Sequence, residues 1–94
     1  MEKKDYMPDG KKELGSVTLG DGTVVEVSKP TLTQIRAVNK IEDEEAQEVK
    51  LISNLTGLTE EKLGFMLYDD YVLLSNKVNN FLYQVGKMRE SALA

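Results

Sequence analysis

The chain has 94 residues, 40% of them hydrophobic, and 12 basic against 16 acidic side chains give a net charge of −4. That composition suits one small folded core and leaves little room for a deep catalytic cleft. It holds no Cys and no His, which excludes disulfide frameworks, thiol nucleophiles, the commonest metal ligand and the usual general base near neutral pH.

No apolar run approaches the ~20 residues of a membrane span. The start, Met1-Glu2-Lys3-Lys4-Asp5, lacks the apolar stretch of a secretory signal. The expected compartment is therefore the cytosol, with no membrane partner. A pI of about 4.8 argues against nucleic acid as a partner, because such binding rests on neutralising phosphates.

Residues 1–13 read as a flexible N-terminal arm, with mixed charges around Pro8-Asp9-Gly10. Residues 14–90 read as a single domain and 91–94 as a tail. The expected fold class is α+β, mostly α: an N-terminal β-hairpin followed by three or four short helices.

The hairpin is expected over 16–27. Val17 and Leu19 alternate with polar residues, Gly20-Asp21-Gly22 signals the turn, and Thr23 to Val27 runs back. A lone hairpin is marginal in water. Val17, Leu19, Val25 and Val27 should therefore share a core with Ile35, Ile52 and Val78. Lys29-Pro30 ends the strand, and Thr31 with Gln34 forms a capping box. The first helix is expected over about 32–41, with Leu32, Ile35, Val38 and Ile41 near one face.

Asp43 is a plausible N-cap for a second helix over about 44–56, with Ala46, Val49, Ile52 and Leu55 facing inward. Gly57 fits the left-handed residue after its end, and Leu58 the apolar contact beyond. Thr59 caps a short helix over about 60–66 that carries Leu63 and Met66. Asp69 or Asp70 then caps a last helix over about 70–88. Leu67, Tyr71, Leu74, Val78, Phe81, Val85 and Met88 recur there at alternating spacings of four and three, a heptad-like seam.

The paired carboxylates at 43–45, 60–61 and 69–70 sit at helix starts, where acids favour the helix dipole. Capping explains them without catalysis. Nothing matches a calcium loop or a phosphate loop, so neither enzyme activity nor a metal or other cofactor is expected. Two interaction signals remain: the seam, and the aromatic group Phe65, Tyr68 and Tyr71. Each is also explained by intramolecular packing. The expected partner-binding residues are Phe65, Tyr68, Tyr71, Leu74, Val78, Phe81, Val85 and Met88. The inner turns at Leu74, Val78 and Phe81 serve the core, and the outer end at Val85 and Met88 is the preferred contact.

In chain order the sequence carries Lys29-Pro30-Thr31, then Arg36-Ala37-Val38-Asn39-Lys40, then Leu55-Thr56-Gly57-Leu58-Thr59-Glu60-Glu61, then Leu67-Tyr68-Asp69-Asp70-Tyr71, and a helix reaching Phe81-Leu82. With that ordered set, residues 16–83 resemble the small tail assembly chaperones of contractile-tailed, Mu-like bacteriophages. Many relatives carry a Pro before the Asp-Tyr element, where this chain has Leu67 or Tyr68. The resemblance implies a non-enzymatic protein of the host cytoplasm, absent from the mature virion. Its implied partner is the tape-measure protein, kept soluble during tail assembly, with the tail-tube protein as a further partner; the length of the seam, apart from the resemblance, leaves room for a second copy of the chain. It also implies a longer form made by ribosomal slippage, for which Asn80-Phe81-Leu82 and Val85-Gly86-Lys87 are codon-compatible sites. The rival reading is a small acidic regulatory protein that inhibits a host protein, supported by the acids at 42–45, 48 and 60–61. A helix-turn-helix reading fails because Glu44, Glu45 and Glu48 would face phosphates. A mimic of DNA should display rows of acids on one face, whereas a chaperone should display an apolar groove.

Overall fold

Thr23 to Val27 is rich in β-branched residues, which favour extended backbone. Val24–Ser28 forms strand β2, antiparallel to β1 (Glu13–Thr18), with Val17 opposite Val25 and Gly15 opposite Val27. The computed structural model describes residues 13–93, with side chains over 13–86. Strand β1 starts at Glu13, earlier than the expected hairpin. The pairing shifts register between Glu13 and Gly15, and Gly15 absorbs the shift at φ 141°, a backbone region open to glycine. The rest of the expected arm, residues 1–12, lies outside the described residues.

Four helices follow: α1 (Leu32–Asn39), α2 (Glu44–Thr56), α3 (Glu60–Phe65) and α4 (Tyr68–Leu93). Their starts follow from their caps. The Thr31 hydroxyl accepts from Gln34 N–H at 3.1 Å, and Thr31 N–H donates to Gln34 Oε1 at 2.9 Å, the expected box. The Asp43 carboxylate accepts from Ala46 N–H at 2.8 Å, and the Thr59 hydroxyl from Lys62 N–H at 3.1 Å. Helix α2 ends at Gly57 with φ 80°, the left-handed residue that a β-carbon would penalise.

The start of α4 differs from the expected one. Asp69 and Asp70 lie inside its first turn, and the Leu67 carbonyl accepts from Asp70 and Tyr71 N–H at 3.0 Å each. The Asp70 carboxylate caps no helix here. It reaches back to the hairpin and accepts from Gly20 N–H at 2.9 Å.

The core takes Val25 and Val27 from β2, Val38 from α1, Leu51, Ile52 and Leu55 from α2, Leu63 from α3, and Leu74 and Val78 from α4. Val17, Leu19 and Ile35 pack against it, so the hairpin rests on the helices as expected. Leu32, Ile41, Ala46, Leu67 and Phe81, all expected inward, are not among the residues that form the core or pack against it; α1 ends at Asn39, before Ile41. Leu32 opens the first turn of α1 and is 65% exposed; the short helix packs through Ile35 and Val38, farther along. Ala46 is exposed in the first turn of α2, while Leu51, outside the expected stripe, is buried. Leu67 precedes α4 and stands exposed at the α3–α4 corner.

Candidate functional site

The corner between α3 and α4 displays large apolar side chains. Phe65 is 84% exposed, Leu67 73% and Tyr68 76%. These residues end one helix and begin the next, so their side chains project beyond the surface that either helix packs inward. Across from them runs the hairpin turn. Between the two lies an open groove of about 720 Å3. Leu19 and Val25 contribute from the hairpin, Leu58 and Met66 from around α3, and Phe65 and Leu67 from the corner. Such a volume lies in the range of pockets that take several side chains or a small ligand.

Charge is unevenly spread around this groove. Asp21 and Asp70 line it beside the hairpin turn, and Lys62 lines it on α3. The Asp21 carboxylate accepts from Thr23 N–H at 2.9 Å. That backbone bond holds its carboxyl below the ordinary value. The Asp70 bond to Gly20 links the two walls, because Gly20 belongs to the turn and Asp70 to α4.

The residues named from the sequence as a partner face are spread over several environments. Phe65 and Tyr68 are exposed at the groove corner. Leu74 and Val78 are in the core, at 0% and 1% exposure. Tyr71 is half-buried, and its hydroxyl donates to Glu48 at 2.7 Å. Phe81 is half-buried, with Lys29 Nζ 6.0 Å from its ring centroid, at the edge of cation–π range. Val85 is exposed farther along α4, roughly 25 Å from Tyr68 at 1.5 Å rise per residue. The Met88 side chain lies outside the described residues.

Two features escaped the sequence reading. The hairpin wall of the groove did, because Gly20-Asp21-Gly22 reads locally as turn chemistry alone. So did the setting of Glu48. Its carboxylate accepts from Tyr71 at 2.7 Å, Ser75 at 3.0 Å and Asn79 at 3.1 Å. Burial raises its pKa, and these three bonds outweigh burial and hold it below the ordinary glutamate value. Tyr71 is pushed well above its ordinary value by burial first and then by the Glu48 carboxylate. The available signal was the recurrence of Tyr71, Ser75 and Asn79 every four residues, a polar stripe beside the apolar seam.

Three acids of the sequence clusters have separate partners. Asp43 caps α2, Glu48 is tied to α4, and Glu60 lies 3.5 Å from Lys50. Among the described residues no group of three acids could hold a metal ion. No helix among them is long and apolar enough to cross a membrane.

One family model matches residues 9–83, described as phage tail assembly chaperone proteins, E, or 41 or 14. The matched stretch spans both walls of the groove. Neither a curated protein nor a solved structure matches the chain.

Proposed function

This chain belongs to the phage tail assembly chaperone family, and on that premise we propose that it binds the tape-measure protein and keeps it soluble while the tail is built. The family points to a non-enzymatic role in tail assembly with phage tail proteins as partners. The observation that supports the finer reading is the groove beside Phe65, Leu67 and Tyr68. A holding chaperone needs apolar surface that a partner can cover, net charge that keeps the free protein dispersed, and binding weak enough to reverse. The exposed corner supplies the first and the net charge of −4 the second. On this reading the protein acts in the host cytoplasm, contacts the tail-tube protein when the tube closes around the tape measure, and is left out of the virion.

The outer end of α4 extends the same proposal. Val85 is exposed, and Met88 follows it in the heptad-like seam, so a long helical partner could run from the corner along α4. The test is coexpression with the tape-measure protein of the same phage. Wild type should raise the soluble yield of that chain. The triple substitution Phe65→Ser, Leu67→Ser and Tyr68→Ser should abolish the rescue while the chaperone keeps its thermal midpoint, since exposed positions contribute little to stability. The pair Val85→Asp and Met88→Asp should weaken it. No rescue by wild type, together with tight capture of a host enzyme, would overturn the reading.

A further inference from the structure

We propose that the groove takes an amphipathic helix of the partner, whose apolar stripe ends in Lys or Arg where it meets Asp21 and Asp70. The inference rests on the chaperone reading and names the chemistry of the segment that is held. The groove walls carry apolar side chains from Leu19, Val25, Leu58, Met66, Phe65 and Leu67, which suit anchors at i, i+3 or i+4 and i+7.

An extended strand laid along the turn is a poorer occupant, because four of the five N–H groups over residues 19–23 are already bonded. Leu19 N–H donates to the Thr23 carbonyl, Gly20 N–H to Asp70, Gly22 N–H to the Leu19 carbonyl and Thr23 N–H to Asp21. Strand addition depends on free backbone groups, whereas a helix arrives with its own backbone bonds made. The charge pattern sets direction. The two carboxylates sit at the hairpin turn, Asp21 within it and Asp70 bonded to Gly20 N–H, and Lys62 lines the same groove from α3. A cationic helix end therefore gains at the turn and loses beside Lys62. A second copy of this chain, at net charge −4, meets the acidic end with the wrong sign.

The experiment titrates the full chain with overlapping peptides of about 20 residues that tile the tape-measure protein. The bound peptides should share an apolar stripe with a basic end. The double variant Asp21→Asn/Asp70→Asn keeps both acceptor oxygens and removes both charges. It should bind them about fivefold more weakly at low salt, with the difference gone near about 0.5 M salt. Lys62→Glu should tighten the same peptides. Equal binding by wild type and the double variant, or bound peptides with acidic ends, would overturn the proposal while leaving the chaperone reading intact. Absence of any bound peptide would overturn both. Tighter peptide binding after deletion of residues 1–12 would make the chain's own arm the occupant. A wild-type dimer that peptide dissociates would make a second copy the occupant. Either result also overturns the proposal.

Discussion

Glu48 accepts bonds from three side chains of α4 at once, so a single carboxylate ties α2 to the last helix. Its pKa in the folded chain lies below the ordinary 4.5. A carboxyl shifted in that direction stabilises the fold above its unfolded pKa and loses this as pH falls through the folded value. Glu48→Gln should therefore unfold at lower urea than wild type at neutral pH, and the gap should close on acidification to about pH 3. Tyr71→Phe removes the shortest of the three bonds. Bonds to charged groups contribute about 1.5–3 kcal/mol, and the open side of Glu48 brings the expected loss down to about 1 kcal/mol. A gap independent of pH would mean that Glu48 acts through packing alone. The sequence did not reveal this contact because its partners lie more than twenty residues away, whereas Glu48 reads locally as one more of the clustered acids at 42–45, 48 and 60–61.

The helices were legible to the extent that their ends are set by neighbours in the chain. Thr31 with Gln34, Asp43, Gly57 and Thr59 each act within a few residues, and α2 spans Glu44–Thr56 as its pattern predicts. The start of α4 was misread for the opposite reason. Asp70 has the chemistry of a cap, but its acceptor is taken by Gly20, fifty residues away. The seam on α4 likewise shows which residues are apolar without showing where other elements stop covering them. Leu74 is at 0% exposure and Val85 at 41% within one helix. Leu74→Ala should therefore cost about 2–5 kcal/mol, measured by urea unfolding. Val85→Asp should stay within about 0.5 kcal/mol of wild type. Similar costs at both positions would mean that the outer end of α4 is packed as tightly as its middle.

The whole molecule combines an exposed apolar corner with an acidic net charge, and these two properties oppose each other in solution. Phe65, Leu67 and Tyr68 offer surface that attracts other apolar surface. At neutral pH the net charge of −4 opposes the approach of copies. That repulsion disappears as the pH approaches the pI of about 4.8, and copies should then associate through the corner. Light scattering should rise between pH 7 and the pI. The rise should shrink in the Phe65→Ser, Leu67→Ser, Tyr68→Ser variant, whose net charge is unchanged. Acid unfolding would also expose apolar surface, so far-ultraviolet dichroism and the thermal midpoint must be followed on the same samples. Association with the fold intact, and lost in the variant, assigns the effect to the corner. Equal association in both proteins would mean that the exposed side chains at α3–α4 do not govern how this molecule meets others.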